Sequence, residues 1–155
     1  MNRMEYVLTT VHDEIMISTA AQDRHQVWTW VFTSGLIGAV ALRLVGVPTI
    51  DLHGPLHRFG VMDPFCGGTR ATFLLLSGDL GAAAKYNPVV FPLALVTVLV
   101  ILRAALGWSR GIWVEVAVPA PVRWPLFSVF LIGLVALGVR QQLNAALLME
   151  PWGVA

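Results

Sequence analysis

Charge is what this chain has least of. Only 12% of its 155 residues are Asp, Glu, Lys or Arg, about half the roughly 25% of an ordinary soluble domain. That shortage excludes a conventional water-soluble fold. Ten basic and nine acidic side chains leave a net charge of +1. They form no basic patch or stripe, so a nucleic-acid partner is not expected. Cysteine is almost missing. Cys66 stands alone, which rules out an intramolecular disulfide and any metal site built from several thiolates. Internal repeats, low-complexity stretches and breaks in composition are also lacking, so nothing marks a second domain. What fills the chain is apolar: 57% of residues, with a mean hydropathy of +0.74. The expected class is an all-α integral membrane protein with one membrane domain over residues 27–155.

Three apolar segments have the length to cross a bilayer, which takes about 20 residues of helix. The first expected span is about 27–47. Trp28 and Trp30 stand at its start, where amphipathic rings favour the membrane interface, and Arg43 near its end is placed to snorkel. The second is about 88–108, with Pro92 in its first turns and Arg103 near the far end, again read as snorkelling. The third is about 124–143, with Pro125 near its first position. It closes on Arg140, Gln141, Gln142 and Asn144. The preferred reading is that the helix emerges there into water. The alternative turns that polar face to a protein contact. Residues 1–26 are polar and mixed, without the basic start and early apolar core of a secretory leader. Met4, Val7, Leu8, Val11, Ile15 and Met16 recur at helical spacing, which predicts an amphipathic N-terminal helix. Residues 112–116 alternate as a short extended piece would. Three spans divide the ten Lys and Arg residues evenly between the two sides, so charge does not set the orientation.

Between the first two spans lies the stretch that carries the most unusual chemistry. Pro64 sets one backbone angle, and Gly67-Gly68 frees two. A short helical segment of about 69–84 should follow, too short to span, and therefore re-entrant or interfacial. Thr69 is the expected cap. Gly78 should stop the first turns, Asp79 should cap a second piece, and Asn87-Pro88 should end it and open the next span. Gly67, Gly68, Thr69 and Arg70 are candidate anion ligands. Free amides at a helix start suit an anion, and the Arg70 guanidinium suits a phosphate or carboxylate. The competing reading pairs Arg70 with Asp63 or Asp79 and makes the turn purely structural. His53, His57, Asp63 and Cys66 are four possible ligands of three types in one region, but they fit no established metal spacing. No metal or cofactor is expected.

The ordered series Cys66-Gly67-Gly68-Thr69-Arg70-Ala71, Gly78-Asp79, the alanines at 82 to 84, and Asn87-Pro88 resembles the signature of a bacterial protein family. That family consists of small polytopic membrane proteins of unknown function. It is marked by a Cys-Pro-x-Cys-Gly-x-Thr-Arg motif, a short helix, a Gly-Asp pair and an Asn-Pro before a span. The resemblance implies a multi-pass protein of the bacterial cytoplasmic (inner) membrane and carries no established activity. Asp63 stands where the family's first cysteine would fall, while Pro64 and Cys66 are kept. This departure argues against a paired-cysteine redox or metal role.

Three function classes follow. The first is a small accessory or structural subunit of a larger membrane-protein complex. The second is a lipid- or anion-binding protein using the Gly-Gly-Thr-Arg turn, with membrane lipids as partners. The third is a membrane enzyme using Cys66 with a histidine, which would need a lowered thiol pKa.

Overall fold

The computed structural model describes residues 16–47 and 59–150. The described residues are mostly helical, with one two-stranded sheet among them. In order the elements are β1 (Met16–Ala20), α1 (Gln26–Val45), α2 (Gly68–Leu76), α3 (Leu80–Tyr86), α4 (Val90–Arg110), β2 (Trp113–Ala117), α5 (Ala120–Leu143) and α6 (Ala145–Met149).

Helices α1, α4 and α5 hold 20, 21 and 24 residues and are long and apolar enough to cross a membrane. At 1.5 Å per residue each reaches about 30 Å or more, the thickness of a bilayer core. Most of their large apolar side chains are exposed, as lipid-facing residues are. α1 packs against α4 and α2, and α4 also meets α2 and β2. α4 starts with Pro92 in its first turn, where no intrahelical donor is needed. α5 begins at Ala120, earlier than Trp124, because Pro119 caps it from an extended conformation and Pro121 occupies the first turn. Pro125 therefore lies inside the helix.

The sheet corrects the all-α expectation. β1 and β2 pair antiparallel, with Ile17 opposite Val116 and Ala20 opposite Trp113. The N-terminal amphipathic helix lies mostly outside the described residues, but Met16–Ala20 is a strand. Its partner is β2, nearly 100 residues away, whose Trp and Val side chains favour extended pairing.

Helices α2 and α3 form a compact elbow between the first two long helices. Gly67 caps α2 in the left-handed region at φ 77°, with no side-chain cap. Thr69 is therefore not the cap, and it sits exposed one residue inside the helix. Gly78 (φ 85°) breaks the chain after α2. The Asp79 side chain then accepts from the Ala82 amide at 2.9 Å and starts α3, as its position before the alanines implied. Ala71, Ala83 and Val90 make a small buried cluster that joins α2, α3 and α4.

Candidate functional site

Two polar knots hold this molecule together, one at each end of the long helices. The first is the corner built on the central motif. Asp63 accepts from the Phe65 amide through its side chain at 2.7 Å and from the Cys66 amide through its carbonyl at 3.1 Å. The Gly68 amide donates to the Phe65 carbonyl at 2.9 Å. These bonds wind residues 63–68 into a tight turn that delivers Gly67 against its neighbours. A Cβ on Gly67 would lie 2.6 Å from Leu148 Cδ2 and 3.3 Å from the Tyr86 carbonyl oxygen. Both backbone angle and space therefore require glycine here.

The corner is then clamped by carboxamides. Asn87, fully buried, donates from Nδ2 to the Pro64 and Cys66 carbonyls, each at 3.0 Å. Its Oδ1 accepts from the Val89 amide at 3.0 Å. Gln141, also fully buried, donates from Nε2 to the Cys66 carbonyl at 2.6 Å and to the Tyr86 carbonyl at 2.9 Å. Gln142 reads the incoming loop as a strand neighbour would. Its Oε1 accepts from the Met62 amide at 2.9 Å, and its Nε2 donates to the Gly60 carbonyl at 3.0 Å.

The last four carbonyls of a helix have no partner within it, and α3 shows where such carbonyls go. Ala83 receives the Asn87 amide at 3.0 Å. Ala84 and Lys85 receive one Arg140 nitrogen at 2.8 and 3.1 Å, and Tyr86 receives Gln141. Arg70 does the same for α6, donating to the Leu148 carbonyl at 3.3 Å with its guanidinium 5.7 Å from the Tyr86 ring centre. Arg140 and its neighbours thus do not simply emerge into water. They face the motif, because a helix end inside a membrane protein needs donors.

These positions answer the site expectations in turn. Asp63, Pro64, Cys66, Gly67, Gly68, Asn87 and Pro88 come together in the corner or its immediate flank. Gly78 and Asp79 shape the α2–α3 elbow. Arg70 reaches Leu148 rather than Asp63 or Asp79 among its described hydrogen bonds. Cys66 is buried with its sulfur 3.5 Å from Met62 Sδ. His53 and His57 lie outside the described residues, so their reading as metal ligands or as a base for Cys66 lies there too. Gln141 is the site residue that sequence reasoning placed least well. The one signal for it was a run of polar groups, Arg140 to Asn144, closing an apolar helix.

Substituting Gly67 by alanine tests the corner directly. The left-handed angle and the Leu148 contact together should lower stability by about 2–3 kcal/mol, measured by thermal unfolding in detergent. Combining it with Leu148→Ala should not restore the wild-type midpoint, because the backbone strain stays.

The second knot was not anticipated from sequence. Arg103 does not snorkel. It donates from NH2 to Asp23 Oδ1 at 3.0 Å, from NH1 to Thr29 Oγ1 at 3.3 Å and from Nε to the Val114 carbonyl at 2.6 Å. Thr29 Oγ1 in turn donates to Asp23 Oδ2 at 2.7 Å. The guanidinium lies 5.2 Å from the Trp113 ring centre. Trp113 packs against the bare backbone of Gly107, where a Cβ would collide with the indole. One arginine thus ties the start of α1, the end of α4 and β2.

Burial alone would raise the Asp23 pKa. The bonds from Thr29, Arg103 and the His25 amide, with the Arg103 charge, outweigh it and hold the carboxyl below its ordinary 3.8. A carboxyl depressed on folding stabilises the fold fully above its unfolded pKa and loses that contribution as pH falls through the folded value. Thermal midpoints should therefore drop as pH is lowered below about 4, and Asp23→Asn should remove that part of the pH dependence.

Three long apolar helices joined by buried polar knots point to a multi-pass membrane protein. Residues 55–101 match the family model described as "Protein of unknown function (DUF2752)", in keeping with the uncharacterised family expected from the motif series. No curated protein and no solved structure is detectably similar to the chain. The matched segment holds the motif, α2, α3 and the start of α4. Gln141 and Arg140, which clamp it, come from outside that segment.

Proposed function

We propose that this protein is a small structural subunit of a larger membrane-protein complex in the bacterial cytoplasmic membrane, with the central motif acting as its rigid corner. The observation that carries this reading is the Cys66 carbonyl, which accepts from both Asn87 and Gln141. The polar groups of the motif are turned onto the chain's own backbone, which is the chemistry of a joint. Arg70 supports the same reading, since its guanidinium is engaged with Leu148 and Tyr86 rather than held out toward an anion.

The long helices favour a partner in the membrane. The apolar stretch of α5 has no residue buried within this chain, whereas α4 buries Val90, Ala104 and Gly107. Most of the apolar surface of α5 is therefore available to lipid and to the spans of another subunit. Packing between spans draws on close contact and hydrogen bonding rather than on escape from water.

The test is affinity capture of the tagged protein from its native membranes in mild detergent, followed by mass spectrometry. A stoichiometric membrane-protein partner is expected. Cys66→Ser should capture the same partner. Purification of the wild type as a stable, partner-free species would overturn the proposal. Loss of all cellular function in a folded Cys66→Ser variant would instead favour thiol chemistry.

A further inference from the structure

A shallow groove of about 340 Å³, open on one side, lies beside the second knot. Trp28 and Phe32 of α1, Val100 of α4, and Val114 and Val116 of β2 form its apolar walls. Thr29, Arg103 and His25 complete the lining. Three facts limit what fits there. The first is charge. Arg103 is paired with Asp23 at 3.0 Å, so the one fixed positive charge in the lining is already compensated and exerts little pull on an anionic headgroup. The second is size. Small-molecule sites run from roughly 300 to 1,000 Å³, so this groove lies at the small end and suits one flexible chain better than a ring system with its headgroup. The third is depth. Trp113 lies 5.2 Å from the Arg103 guanidinium that lines it, and Trp108 links Trp113 to Trp30 at ring-centre distances of 6.3 and 6.4 Å. Such rings mark the boundary between headgroups and hydrocarbon, where acyl chains begin.

We infer that this groove holds one acyl chain of a membrane phospholipid, wedged between α1, α4 and the β1–β2 ribbon. The chain fills a wall-lined gap that water would otherwise enter, and it shields the Asp23–Arg103 pair from solvent. The site is separate from the motif corner and does not depend on the subunit reading.

The experiment uses the full-length protein reconstituted in vesicles of phosphatidylethanolamine and phosphatidylglycerol. The vesicles are then dissolved in mild detergent, the protein is released from its micelle in a native mass spectrometer, and the bound phospholipid is counted. The wild type should retain one phospholipid. Val100→Phe fills the groove from the helix side, and Val116→Phe fills it from the exposed ribbon side, where a larger side chain is tolerated by the fold. Either should lower retention about tenfold, the scale of overpacking a filled site. Val98→Phe, on an exposed position of α4 outside the lining, should retain lipid as the wild type does. Far-UV circular dichroism checks that each variant is folded. A wild type that retains no phospholipid would overturn the inference. So would undiminished retention in folded Val100→Phe and Val116→Phe, or retention that follows headgroup charge regardless of these substitutions.

Discussion

Replacing Gln141 by alanine should cost this protein about 2–4 kcal/mol, far more than an ordinary polar substitution on a membrane helix. An average hydrogen bond between membrane helices contributes only about 0.6 kcal/mol, but Gln141 is not average. Its amide makes two bonds to carbonyls, at 2.6 and 2.9 Å, and its oxygen accepts from Arg140 at 2.9 Å. Truncation takes the Gln141 donor from the Tyr86 carbonyl at the end of α3, and weakening the pairing of a buried acceptor costs up to about 1–3 kcal/mol. Gln141→Met keeps the volume and should still show most of the loss in stability, which separates donation from packing. Gln141→Glu should be no better, because a carboxylate placed against two carbonyl oxygens has nothing to donate. Asn87→Ala should be of similar size. The double substitution should cost more than the two single ones together, since either side chain alone still serves the Cys66 carbonyl and only the double takes away both donors. Denaturant unfolding in mixed micelles, followed by circular dichroism, measures all five variants. Strict additivity would show that the shared carbonyl does not couple them.

The second large effect is at Arg103. Removing one member of a buried pair typically costs about 3–5 kcal/mol. The Arg103 and Asp23 side chains keep 16% and 10% of their exposure, so Arg103→Ala should fall toward the lower end of that range. Arg103→Lys should recover less than half of the loss. A lysine keeps the charge, but it cannot spread donors across Asp23, Thr29 and the Val114 carbonyl as the planar guanidinium does. Adding Asp23→Ala to Arg103→Ala should restore part of the stability, because the stranded carboxylate goes with its partner. Tryptophan fluorescence gives a second reading. Trp113 loses the cation against its ring, and its emission should change in Arg103→Ala while that of Gln141→Ala stays near wild type.

The two knots differ in how they appear in the chain. The corner announces itself, because Gly-Gly, Gly-Asp and Asn-Pro are local turn and cap chemistry that acts over two to four residues. The second knot joins Asp23 to Arg103, 80 residues apart, and each looks ordinary where it stands. Asp23 lies in a polar leader to a span, and Arg103 sits where an arginine would snorkel. A sequence pattern holds no record of which distant groups meet.

Composition and apolar run length were enough to determine a membrane protein with three long helices, because the bilayer admits few ways to satisfy a backbone. Local signals were enough for the break at Gly78 and the cap at Asp79, where the angle or the acceptor is supplied by the residue itself. Tertiary structure alone decided that Gly67 rather than Thr69 caps α2, since the deciding contact is Leu148, some 80 residues on. It also decided that Met16–Ala20 becomes a strand and that Arg140 to Gln142 turn inward. The reason is the same in each case. Free helix-end carbonyls and strand edges accept any suitable donor, and only the folded chain brings one particular donor within reach.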